Sequence, residues 1–312
     1  MTNDNDKIVH AYTEFFFANE MNFKLTHCLF RVKDPNELLR FYVENFGITN
    51  MDNTCLEFHH VKSSTNENLL VNSGIGHVYW KIGITTYDVD YVRQILQSKQ
   101  IQSDDPVQFE DIGYVCHLKD PHGFIIELLQ HDFQQTFINN MNKYGRQPIN
   151  EHLPLGYPCC FGQITLQTND IDKTRWFYED VLEMKLLSIQ DVPKYNFTLY
   201  FFAWTNENPP KTDLRDVSTN REWLWKRPYT IIEFRYFHYE KRKIPLFKDL
   251  HENELGFEGI RIICNELDLF IDKLKAEKIN FEKSNGIYEN EIVIRDPNNV
   301  PVYVSFKTRD CN

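Results

Sequence analysis

The sequence contains no apolar run near the roughly 20 residues that cross a bilayer, so no membrane-spanning helix is expected. It has no block of Lys and Arg dense enough to follow a phosphate backbone. With 45 acidic against 34 basic residues, a net charge of −11 and a pI near 5.5, a nucleic-acid partner is not expected either. Residues 1–12 are mostly polar and lack the apolar centre of a secretory signal, which points to a cytoplasmic protein. No CxxC pair occurs among the seven cysteines (Cys28, Cys55, Cys116, Cys159, Cys160, Cys264 and Cys311), and scattered thiols in odd number fit a reduced compartment. What is present is a folded protein's share of apolar (42%) and aromatic (14%) residues over 312 positions, enough for two domains with cores of their own.

The chain carries one motif twice. Leu25-Thr26-His27-Cys28-Leu29-Phe30-Arg31 leads to Phe41-Tyr42, and Phe161-Gly162-Gln163-Ile164-Thr165-Leu166-Gln167 leads to Phe177-Tyr178, at a constant offset of 136 residues without a gap. A second pair closes each half: Asp120-Pro121-His122-Gly123 before Phe124–Leu129, and Asp296-Pro297-Asn298-Asn299 before Val300–Phe306. Asp-Pro followed by Gly or Asn is turn chemistry, and the apolar run behind it reads as a buried strand. Self-similarity of this kind predicts a duplicated domain.

Apolar spacing predicts strand 25–32, a helix from Glu37 to Phe46 ended by Gly47, strands 55–61 and 77–83, helix 90–99 and a hairpin over 113–118 and 124–129. The second half repeats this with strand 161–167, helix 171–182, strands near 186–188, 197–203 and 229–237, strand 259–264, helix 267–277, and a closing pair near 291–295 and 300–306. Residues 62–68 read as a polar loop. The charged, Pro-containing stretch 205–227 reads as a surface excursion. The expected architecture is α+β, with a first domain over 22–131, a linker over 132–158 that carries some helix near 133–143, and a second domain over 159–307.

Strands that curl around a cleft send alternate residues inward, so polar residues inside apolar strands are the candidates for chemistry. In the first half these are His27, Glu57, His77 and Glu127; in the second half the corresponding positions are Gln163, Glu233, Gly259 and Tyr303. A carboxylate in an aliphatic strand needs a partner, and a metal ion is one, with imidazole and carboxylate suiting zinc or a related divalent ion. Adjacent strand residues face opposite ways, so His59 and His60 cannot both reach one ion. His117 and the remaining histidines show no supporting pattern.

With these residues in view, the sequence resembles glyoxalase I (lactoylglutathione lyase) in its tandem form, within the vicinal oxygen chelate superfamily. The resemblance is carried by Leu29–Pro35 with Phe41-Tyr42 and Phe46-Gly47, by Asp120–Glu127, by Phe177-Tyr178 with Val181-Leu182 and Met184, and by Asp191–Phe201. It implies four βαβββ modules in two paired-module domains, and a metal site shared between a module of one half and a module of the other. Carried over, one site would be Gln163 and Glu233 with His77 and Glu127, holding one zinc or nickel ion, with Glu127 as the base that moves a proton across a metal-stabilised enediolate. The other would join His27 and Glu57 to Gly259 and Tyr303 and lacks the donors. Pairing modules within one half gives the alternative set His27, Glu57, His77 and Glu127.

The substrate side departs from that family. Its glutathione-anchoring Arg matches Arg31, at the donor-poor site, whereas the functional site has Gln167 there, with Phe237 in place of an Asn and Ser73 in place of an Arg; the stretch 103–113 is acidic. Glutathione's carboxylates need cationic donors, so a small-molecule substrate other than the glutathione adduct, and weak or absent lactoylglutathione lyase activity, are expected. Two other functions are compatible with the same residues: a non-catalytic descendant that binds a small molecule or a protein, and an extradiol-type dioxygenase with iron on His27, His77 and Glu127. The linker length fits a monomeric pseudo-dimer.

Overall fold

The structure, a computed structural model, describes residues 21–47, 54–61, 70–238, 243–284 and 290–306. The expectations for the N-terminal segment, the loop at 62–68, His10, Cys311 and the end of the second domain lie outside the described residues.

The chain folds as four units that each begin with a strand and a helix. The first has β1 (Lys24–Val32), α1 (Pro35–Phe46), β2 (Cys55–His60) and β3 (Leu70–Val71). The second has β4 (Tyr79–Thr86), α2 (Val89–Ser98), β5 (Val107–Phe109), β6 (Gly113–Lys119) and β7 (Ile125–Gln130), and α3 (Gln134–Tyr144) follows in the linker. The third has β8 (Cys160–Thr168), α4 (Ile171–Arg175) running on as a π-helical turn over Trp176–Val181, β9 (Lys185–Val192), β10 (Phe197–Ala203), α5 (Val217–Leu224) and β11 (Ile231–Phe237). The fourth has β12 (Leu255–Ile263), α6 (Leu267–Ala276), β13 (Phe281–Lys283), β14 (Ile292–Arg295) and β15 (Pro301–Ser305). Asp34, Asp88 and Asp170 start α1, α2 and α4 by accepting the unpaired amides of the first turn, and Gly47 ends α1 in the left-handed conformation that favours glycine.

Each sheet takes one unit from either half. An eight-stranded sheet has the order β5-β6-β7-β4-β8-β11-β10-β9, and a seven-stranded sheet the order β13-β14-β15-β12-β1-β2 with β3 on β12. The sequence division at 132–158 therefore separates two halves of the chain but not the two sheets. The main core lies between the sheets and the helices, with Phe30, Tyr42, Tyr79, Ile82, Ile164, Tyr178 and Ile260 all buried in it. The repeated motifs meet across it: Tyr42 donates to Asp120 at 3.0 Å and Tyr178 to Asp296 at 3.2 Å. Each of these Asp carboxylates also accepts two amides of its own turn, and burial pushes both up to about 6.

The eight-stranded sheet curls until its two ends meet. The Phe109 and Tyr195 rings lie 5.5 Å apart, and Lys194 reaches Glu110 at 3.6 Å. Inside the curl is a second apolar cluster of Val115, Leu129, Phe201 and Ile231 with Leu224 and Trp225. The segment 205–227 is thus not a surface excursion. Arg221, Leu224 and Trp225 share one helical face and are buried, and Trp225 donates to the Ile112 carbonyl at 2.7 Å. The charges that suggested a surface lie on the other face. The fourth strand also starts later than its composition implies, because Gly74–His77 forms a turn closed by the His77 amide on the Gly74 carbonyl at 3.0 Å. Cys55 is disulfide-bonded, whereas Cys28, Cys116, Cys159, Cys160 and Cys264 are free thiols.

Candidate functional site

At the middle of the eight-stranded sheet, β4 and β8 run antiparallel, with Lys81-Ile82-Gly83 facing Thr165-Ile164-Gln163. On the outer side of β4, β7 places Glu127 beside Gly83; on the outer side of β8, β11 places Glu233 beside Thr165. Lys81 and Gln163 are therefore equivalent across the strand pair, and so are Glu127 and Glu233. All four are buried. Gly83 leaves room for the Gln163 side chain here, since a Cβ would lie 2.3 Å from its Cγ.

One carboxylate collects the polar groups. Gln163 Nε2 donates to Glu127 Oε1 at 2.9 Å, the Lys81 ammonium is ion-paired with Oε2, and His117 Nε2 lies 3.0 Å from the same oxygen. Burial pushes Glu127 upward, but Lys81 and His117 more than reverse this and hold it well below the usual carboxylate range. Glu233 goes the other way: burial raises it, Lys81 pulls it down, Glu127 pushes it up, and the net shift is upward. The two carboxyls thus differ in character, Glu127 as the ionised partner of Lys81 and Glu233 as the member that more readily holds a proton.

Three further positions were expected to face the substrate. Gln167 is buried, and its amide donates to the Ile75 carbonyl at 2.9 Å and to that of His77. Its oxygen accepts from Arg235, whose guanidinium lies over the rings of Trp80 (3.9 Å) and Phe237 (4.6 Å). Gln167 and Phe237 thus come together around a cation that the sequence reading missed. Arg235 is only 3% exposed and does not present a charge to solvent. Ser73 lies in the loop that leads to Ile75, with its hydroxyl buried and without a partner.

The expected ligand His77 sits in the turn before β4, and the residue of β4 equivalent to Gln163 of β8 is Lys81, four positions on. The alternative set is divided between the sheets, with His27 and Glu57 in one and Glu127 in the other. The residues of the iron reading are likewise divided, with His27 in one sheet, Glu127 in the other and His77 in the turn before β4.

In the seven-stranded sheet, His27 faces Arg261 across β1 and β12, Glu57 lies beside Leu29, and Tyr303 beside Arg261. Gly259 is held by space and backbone: its φ is +145°, and a Cβ would lie 2.4 Å from the Pro301 carbonyl oxygen. Two positions on, Arg261 donates to Glu57 and, at 2.7 Å, to Glu291. The charges continue outward, Glu57 to His59 at 2.6 Å, His59 to Glu258 at 2.5 Å and Glu258 to Arg31 at 2.5 Å. Held between Glu258 and Glu57, His59 is raised to about 9, while burial lowers His27 to about 4.

A divalent ion at the first centre would find Glu233 and the unpartnered Gln163 Oε1 as acceptors. It would also find the Lys81 ammonium on Glu127. A dication about 4 Å from that charge meets a repulsion of about 8 kcal/mol at an effective dielectric constant of about 20. Among the described residues, no group of three or more His, Cys, Asp or Glu is arranged to hold a metal. The residues present do not fit the divalent ion that the resemblance implies.

Residues 161–303 match the Glyoxalase/Bleomycin resistance protein/Dioxygenase superfamily. The chain is similar to lactoylglutathione lyase of Oryza sativa, 26% identical over 63% of this chain and 65% of that protein, so the match spans just under two-thirds of the relative. Similarity to lactoylglutathione lyase of Schizosaccharomyces pombe is lower, 22%, but covers 90% of this chain and 96% of the relative. Among solved structures, glyoxalase I from Zea mays superposes with a TM-score of 0.59 at 17% identity, covering 90% of this chain and 92% of that one, which shows a common fold. In sequence this chain is similar to lactoylglutathione lyases, and in fold to glyoxalase I.

Proposed function

We propose that this protein binds a small molecule on a glyoxalase frame and does not isomerise the methylglyoxal–glutathione adduct. One observation carries the reading: the interior of the curled sheet is filled by the chain itself. Glu127, the residue expected to act as base, is buried and ion-paired with Lys81, while Arg221 and Trp225 from α5 occupy the space beyond. A general base has to reach the substrate's proton with a free lone pair, and both Glu127 oxygens are engaged. The enediolate route through zinc or nickel also asks for a dication where Lys81 already stands. These points favour the non-catalytic descendant over the lyase.

The ligand surface best supported is a groove of about 830 Å³ beside the centre, lined by apolar residues such as Phe41, Ile75, Trp80 and Ile125 together with polar ones that include His117 and Asp104. Its apolar part suits an apolar body with a polar edge, and His117 links it to Glu127. A steady-state assay with methylglyoxal and glutathione, with zinc or nickel supplied, is expected to give no turnover above the uncatalysed rate. Efficiency of about 10⁶ per molar per second, in the range of good enzymes, would overturn this reading.

A further inference from the structure

We infer that Lys81 is a resident cation, supplied by the chain at the position where this fold otherwise gathers donors around a metal ion, and that the centre therefore excludes zinc. The inference deepens the reading of the same site given above.

Three observations carry it. The first is positional: the register of β4 on β8 makes Lys81 the counterpart of Gln163, so Lys81, Gln163, Glu127 and Glu233 are the four residues that the two central and two flanking strands direct to one point. The second is chemical. The Lys81 ammonium contacts Glu127, lies 3.4 Å from His117 Nε2 and acts electrostatically on Glu233, so one positive charge already serves two carboxyls. The third is recurrence. In the other sheet Arg261 bridges Glu57 and Glu291. Two centres in different sheets, filled from different strand positions, both place a side-chain cation between carboxylates.

If Lys81 occupies the ion's place, then a single change should empty it. Lys81→His would complete a Gln/Glu/His/Glu donor set with Gln163, Glu233 and Glu127, and an imidazole with carboxylates and an amide oxygen is a competent zinc set. Lys81→Met removes the charge while keeping a stem of similar volume, so that Glu127 and Glu233 lose the cation they share.

The test uses the full untagged chain, dialysed to equilibrium against zinc, with bound metal measured by elemental analysis and melting temperature followed with and without the ion. Wild-type protein is expected to take up no zinc and to melt at an unchanged temperature. Lys81→His is expected to bind about one zinc per chain and to melt higher in its presence, as ligand linkage requires. Lys81→Met is expected to melt lower than wild type and to regain part of the loss with zinc. One zinc per chain in the wild type, lost in Glu127→Gln, would overturn the inference, and so would a folded Lys81→His that binds none. The wild-type measurement decides even where neither variant folds. Zinc in the wild type without lyase turnover would overturn this inference alone, whereas turnover by the metal-free protein would overturn only the proposed function.

Discussion

The two charge centres use the same principle in different surroundings. In the eight-stranded sheet the ion pair is sealed: the Lys81 and Glu127 side chains are 5% and 8% exposed. In the seven-stranded sheet Arg261 is as deeply buried, but the network leads out to His59, whose side chain is 40% exposed. The difference follows from the strands. In the third unit β9 and β10 lie beyond β11 and carry the sheet around until it meets β5 and β6; in the first unit β2 pairs directly with β1 and is the edge of the sheet among the described residues. Where the curl closes, a compact ammonium paired with Glu127 and acting at longer range on Glu233 is enough. Where it stays open, a planar guanidinium spans two carboxylates, and further charges screen the way to water. The comparison teaches that burying a charge in this fold is tolerated wherever strand register delivers its partner.

Removing one partner from each centre should separate them most clearly. Glu127→Ala strands the Lys81 ammonium in a closed interior and should cost about 3–5 kcal/mol, the range for breaking a buried pair. Glu57→Ala should cost less, because Arg261 keeps Glu291 and water can reach the gap. Urea denaturation of the two variants measures both, and equal losses would mean that the centres are equally sealed.

The glycines give a smaller contrast. Gly83→Ala pushes on the Gln163 side chain, which can turn away, and should cost about 1–3 kcal/mol as overpacking does. Gly259→Ala should cost more, since it adds a left-handed φ to a clash with backbone oxygen. Thermal melts of the pair test the order, and the reverse order would show that Gln163 is locked.

The smallest effect is in pH. His59 is raised above its ordinary value, so its contribution is complete below about 6.5 and lost as pH rises through about 9. Its exposure limits that contribution to about 1 kcal/mol or less. Wild-type stability should therefore decline slightly from neutral to alkaline pH, and His59→Gln should flatten the slope. An unchanged slope would assign the decline to other groups.

The helices, the paired halves and the closing turns were legible because they rest on local chemistry, such as Asp34 before α1 and the Asp-Pro turns at Asp120 and Asp296. Gln163, Glu233 and Glu127 stood out as polar residues in apolar strands and do meet at one centre. Lys81, Arg235 and Arg261 carry the same signature and were passed over because they are not ligand types. His117 was also readable: the turn at Asp120–Gly123 makes it the cross-strand partner of Glu127. Arg221 and Trp225 were not, since their charged neighbours mask the buried face of α5.

The sequence by itself indicated most of the element order, the resemblance to the vicinal oxygen chelate superfamily and three of the four residues at the closed centre, because periodicity and turn chemistry act over a few residues. Tertiary structure alone decided the fourth. His77 and Lys81 are four positions apart on one short stretch, and only the hydrogen-bonded register of β4 against β8, set by strands 80 residues distant in the chain, brings Lys81 rather than His77 to the carboxylates.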